Sequence, residues 1–135
     1  MTVEDVKIWL KQIRGVQKEI NQLKREKQRL WDELTNITGG LKERVQTSAV
    51  NSNDKVLKHM EYENLLMEKL TELVELKITV EAAIEKLPQN KYRRLLRSYY
   101  VDGMTWEETA DELGVDVRSV HRIHGKALMC LVKIL

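Results

Sequence analysis

Apolar residues recur in alternating steps of three and four along the first quarter of the chain: Val6, Trp9, Ile13, Val16, Ile20, Leu23, Leu30, Leu34 and Ile37. Only Lys27 interrupts them, where the next apolar residue belongs. Residues three and four apart are neighbours on a helix surface, so this spacing draws one narrow stripe along a helix over about 4–37. Thr38-Gly39-Gly40 should end it, since glycine readily takes the left-handed backbone of helix ends. A polar connector over 38–53 follows, with Ser48, Asn51, Ser52 and Asn53 as turn formers. Ser52, Asn53 or Asp54 is placed to cap the next helix with a side-chain oxygen. A second stripe, Leu66, Leu70, Leu73, Val80, Ile84 and Leu87, has Lys77 as its polar member and predicts a helix over about 54–87 that Pro88 ends.

Two stripes of this kind, on helices of matched length joined by a loop, predict a long antiparallel helical hairpin of coiled-coil type over residues 1–87. Either stripe could instead pair with a second copy of the chain. Lysines such as Lys27 and Lys77 fix register while sending their charge along the edge to water. The hairpin is read as the part that oligomerises or binds a partner.

After Pro88 the stripe widens. Tyr92, Leu95, Leu96, Tyr99 and Tyr100 cover a broad helical face, with Arg93, Arg94 and Arg97 opposite, and Asp102-Gly103 closes this helix. Thr105-Trp106-Glu107-Glu108 has the form of a capping box, in which Thr105 and Glu108 each accept the other's backbone N–H. Trp106, Ala110 and Leu113 share one face of the short helix it opens; Gly114 then turns the chain, Val115 plugs the turn and Asp116 caps a last helix near 117–131. Two helices joined by a short glycine turn form a helix-turn-helix, so residues 88–135 are expected to be a three-helix DNA-binding domain and the whole chain all-α.

Charge sharpens that reading. The net charge is only +2, but its distribution alternates: a basic cluster (Lys91, Arg93, Arg94, Arg97), an acidic block (Asp102 to Asp116), then Arg118, Arg122, Lys126 and Lys133 with no acid among them. Arg118, Ser119, His121 and Arg122 lie on the first two turns of the last helix, the part that enters the major groove, and are the candidate base contacts. Arg93, Arg94, Arg97 and Lys126 are the candidate phosphate contacts, which add affinity without sequence preference.

Other chemistry is not expected. A single cysteine, Cys130, fits a reducing compartment, and with His121 and His124 it falls short of a structural zinc ligand set. No phosphate loop or nucleophile-and-base pattern is present, so neither an enzyme nor a cofactor is expected. The longest apolar run, Leu128–Val132, is far too short to span a membrane, and Met1–Asp5 does not look like a signal peptide. A cytoplasmic protein is the expectation.

The stretch Tyr99–Leu131 resembles the fourth conserved region of sigma-70-family factors: an acidic capped helix, Ala110, Leu113-Gly114, Val120, Ile123 and Ala127-Leu128. The whole chain also resembles a group of phage and prophage proteins of Gram-positive bacteria, with a helical N-terminal half, a loop like Arg44–Ser48 and the same tail, similar to phage late-gene transcriptional activators. These resemblances imply a promoter-binding transcription regulator acting on double-stranded DNA and touching RNA polymerase. Because a lone helix-turn-helix grips few bases and a long hairpin exposes apolar surface, a homodimer or higher homo-oligomer is expected. Two alternatives stay open: a small-terminase-like DNA-packaging component, and a helix-turn-helix that binds polymerase or another protein instead of DNA. Thr109 stands where sigma tails carry Ile or Val, Asp116 where they carry a Ser or Thr cap, and Gly125 lies inside the recognition helix. The strand-melting region of a complete sigma factor has no counterpart, so a free-standing sigma factor is not implied.

Overall fold

The computed structural model describes residues 1–37 and 45–135, with side chains described for 1–35 and 53–135. Its helices are α1 (Val3–Ile37), α2 (Val45–Glu85), α3 (Asn90–Leu96), α4 (Trp106–Leu113) and α5 (Val117–Ile134). A π-helical turn, Arg97–Val101, extends α3. The fold is all-α, with no strand among the described residues.

Two departures from the sequence expectation have simple causes. The second helix begins at Val45, ahead of the expected 54, so Ser52, Asn53 and Asp54 are interior positions and not caps. Beyond Gly40 the connector contains neither glycine nor proline, and its Ser, Thr and Asn residues each cost a helix only about 0.5–0.7 kcal/mol relative to alanine. The expected stop at Thr38–Gly40 and the loop through residue 44 lie outside the described residues. The helix after Pro88 also does not close as a plain α-helix: the Asp102 N–H donates to the Arg97 carbonyl at 2.9 Å, five residues back.

The chain divides into two units, one of Gln17–Glu72 and one of Met1–Val16 with Leu73–Leu135. In the first, ion pairs join the two helices at Glu19–Lys69 (2.7 Å), Lys27–Glu63 (3.5 Å) and Glu33–Lys55 (3.2 Å). One partner climbs the sequence as the other descends, which is the antiparallel hairpin. Lys27, the polar member of the α1 stripe, is half-buried, and its ammonium reaches Glu63. On α2, Leu57, Met60 and Met67 are 59%, 53% and 66% exposed, an apolar row at helical spacing that this unit does not cover.

The second unit holds most of the core. Val6, Leu10, Ile13 and Val16 of α1 are buried, as are Leu73, Val80, Ala83, Ile84 and Leu87 from the end of α2 and its exit. Tyr92, Leu95, Leu96 and Tyr100 join them, with Ala110 of α4 and Val120, Ile123, Ala127, Leu128 and Leu131 of α5. α3 packs against α4 and α5, and α4 against α5. The 87/88 boundary suggested by Pro88 lies inside this unit. The cue was present: Val80, Ala83, Ile84 and Leu87 follow i, i+3, i+4, i+7, the wide face of a globular helix.

Candidate nucleic-acid interface

The helix-turn-helix is assembled by local chemistry at each joint. Thr105 is extended and its hydroxyl accepts from the Glu108 N–H at 3.1 Å, opening α4. The return bond from the Thr105 N–H to the Glu108 carboxylate does not form among the described residues. Thr109, which stands where sigma tails carry Ile or Val, is fully buried, and its hydroxyl donates to the Thr105 carbonyl at 2.8 Å. The β-branched shape still packs, and its polar atom is satisfied within the turn.

Gly114 sits at φ 71°, the left-handed region, and ends α4. Its N–H donates to Asp111 (3.2 Å) and the Val115 N–H to Ala110 (3.0 Å), the paired bonds of a Schellman turn. Val115 does not plug this turn; it is 37% exposed. Asp116 caps α5, accepting the Ser119 N–H at 2.9 Å, and hydrogen bonding from the Ser119 side chain first, then from its backbone, holds the Asp116 carboxyl below the ordinary aspartate range.

The first two turns of α5 then present the expected edge. Arg118, His121 and Arg122 are exposed and Ser119 is half-buried, while Val120 and Ile123 point into the core. Among the described residues, neither Arg118 nor Arg122 has an ion-pair partner, and Lys126, one turn further on, is likewise exposed and unpaired. These cations stay in water and remain available to an anion.

The other three basic candidates are committed within the protein. Arg93 donates to the Leu87 carbonyl, closing the end of α2. Arg94 donates to the Glu112 carbonyl at 2.6 Å. Arg97 pairs with Glu85 and, at 3.8 Å, with Glu81. A phosphate would have to compete with those partners.

Behind the edge lies an aromatic layer that spacing alone did not reveal. Tyr99 stacks on Trp106 with ring centres 3.7 Å apart and planes 13° from parallel. Trp106 in turn meets His121 at 4.7 Å and His124 at 4.9 Å. His124 is buried, shares a 2.7 Å hydrogen bond with the Tyr100 hydroxyl, and has its pKa lowered to about 4, chiefly by burial and secondarily by Lys7, His121 and Lys11. It is therefore neutral at physiological pH. Arg14 of α1 reaches the far side of this layer. Its Nη2 donates to the Tyr99 carbonyl (2.9 Å) and the Met104 carbonyl (2.8 Å), and its guanidinium lies 4.0 Å from the centre of the Tyr99 ring. Nothing in the spacing of Arg14 sets it apart from the other cations of α1.

Residues 77–131 match the family model described as Sigma-70, region 4. The match opens inside α2 and closes inside α5, so the last turns of α2 belong to the sigma-region-4-like module, a helix-turn-helix DNA-binding fold. No curated protein and no solved structure matches the chain. No helix among the described residues is long and apolar enough to cross a membrane, and no group of three or more potential metal ligands occurs among them.

Proposed function

We propose that this protein is a sequence-specific transcription regulator of phage or prophage type, acting in the bacterial cytoplasm, whose α5 reads promoter DNA through Arg118, Ser119, His121 and Arg122. One observation carries the reading: a capped helix whose first two turns hold two exposed, unpaired arginines, inside a region-4-like helix-turn-helix. Arg118 and Arg122 are one turn apart on the same face, and a guanidinium forked onto a guanine discriminates by roughly 1–3 kcal/mol. Lys126 is the first phosphate ligand in this scheme. Arg93, Arg94 and Arg97 would follow only by exchanging their present partners for phosphate oxygens. The acidic, exposed α4 residues Glu107, Glu108, Asp111 and Glu112 would repel phosphates and suit a basic surface such as one on RNA polymerase. A single helix-turn-helix grips few bases, so a second copy on an adjacent half-site is part of the proposal, with the row Leu57, Met60 and Met67 as the contact between copies.

Selection of duplexes from a random pool by the full chain tests this reading. A defined sequence motif is expected, with binding that weakens as salt rises. Arg118→Ala with Arg122→Ala should erase the motif and lower affinity by at least an order of magnitude. Uniform weak binding, or a motif that survives the double substitution, would sink the proposal.

A further inference from the structure

The first turns of α1 belong to the same unit as the helix-turn-helix, and Arg14 is where they meet it. The chain emerging from the π-helical turn leaves carbonyls that no helical N–H can reach, those of Tyr99 and Met104. A single nitrogen of Arg14 satisfies both, while its buried Nε has no hydrogen-bond partner. The guanidinium is thus turned toward the two carbonyls and the face of Tyr99, with its Nε–H left unpaired. From there the contacts are continuous: Arg14 on Tyr99, Tyr99 stacked on Trp106, and Trp106 against His121, an exposed side chain on the proposed reading edge.

We propose that Arg14 is a positioning residue for DNA recognition, holding Tyr99 and the turn to Met104 so that Trp106 sets the orientation of His121 and of the opening turns of α5. The inference rests on the reading of α5 as the recognition helix. It makes α1 a working part of the DNA-binding unit, although Arg14 itself touches no base. Geometry of this kind matters because a base contact needs hydrogen-bond distance and direction together, and a small rotation of the helix start removes both.

The test uses the full chain carrying Arg14→Met, which keeps the length of the stem and its packing, and Arg14→Lys, which keeps the charge but not the two-carbonyl grip. Two readouts are taken: the imidazole resonances of His121, which sense the ring current of Trp106, and binding to the enriched duplex and to a shuffled duplex of the same composition, over a range of salt. In Arg14→Met the His121 resonances should move, and preference for the enriched duplex should fall about tenfold, the size of one lost base contact. The salt dependence should not change. Arg14→Lys should shift both readouts the same way, by less, and stands in should Arg14→Met not fold. Unmoved His121 resonances, or an unchanged preference, overturn the proposal. So does a salt dependence shallower by about 0.9 in log–log slope, which would make Arg14 a phosphate ligand. If the unsubstituted chain prefers no duplex, the recognition reading fails, while the His121 resonances still decide whether Arg14 positions that side chain.

Discussion

His124 shows how one residue links the core to pH. Burial beside Tyr100 and Trp106 favours the neutral imidazole and holds its pKa near 4, against 6.5 for a free histidine. In the unfolded chain the group takes up a proton as pH falls below about 6.5; in the folded protein it resists until about 4. The unfolded state therefore binds more protons across that window, and stability falls as pH is lowered through it. The loss should be on the order of 2 kcal/mol, reduced for residual solvent contact. Urea unfolding at pH 7 and pH 4.5 measures it, and His124→Gln should flatten the difference. Tyr100→Phe removes the partner of the His124 Nε2 atom, which the structure places at 2.7 Å. A cost of about 1–3 kcal/mol is expected in thermal or urea unfolding, the usual penalty of a buried polar atom left unpaired. The packing of His124 could be read in the sequence, but not its hydrogen bond to the Tyr100 hydroxyl, a partner 24 positions away.

Among the elements, two glycines one helix apart make opposite predictions. Gly114 lies at φ 71°, where a β-carbon crowds the following carbonyl, so Gly114→Ala should destabilise by about 1–2 kcal/mol. Gly125 is inside α5, and a β-carbon built there meets nothing within 4 Å. Nothing within the protein requires a glycine at that point, so Gly125→Ala should stabilise by roughly 1 kcal/mol through helix propensity. Denaturant midpoints of the two variants check both signs. Affinity for the enriched duplex decides whether the gap at Gly125 serves a close approach of DNA: an Ala variant that is more stable yet binds more weakly would assign it that use. The joints of the helix-turn-helix were legible for a local reason. Thr105, Gly114 and Asp116 act through bonds to residues no more than a few positions away.

For the whole molecule, the row Leu57, Met60 and Met67 carries the expectation of a second copy. Exposed apolar residues at this spacing are costly to leave in water, about 25 cal/mol for each Å² that pairing would bury. Met60→Glu with Met67→Glu should shift the protein to a monomer in sedimentation and weaken duplex binding, with helix content unchanged. A ring of many copies instead of a dimer would favour the DNA-packaging alternative; a monomer before substitution would remove this contact from the proposal.

The order of the helices, the two apolar stripes, the capped turn and the cationic edge of α5 all follow from residue types at fixed spacings, whereas the pairing of the stripes with each other was left open and rests on contacts such as Glu19–Lys69. Periodicity and capping are local properties, and a linear chain displays them directly. Which cations stay free was a different matter. Arg93 and Arg97 look like Arg118 and Arg122 in the sequence, yet the fold sets the first pair against the Leu87 carbonyl and against Glu81 and Glu85 and leaves the second in water. The same holds for Arg14, whose partners Tyr99 and Met104 lie 85 and 90 positions away. Pairings across such separations depend on where packing brings the backbone, so only the tertiary structure could decide them.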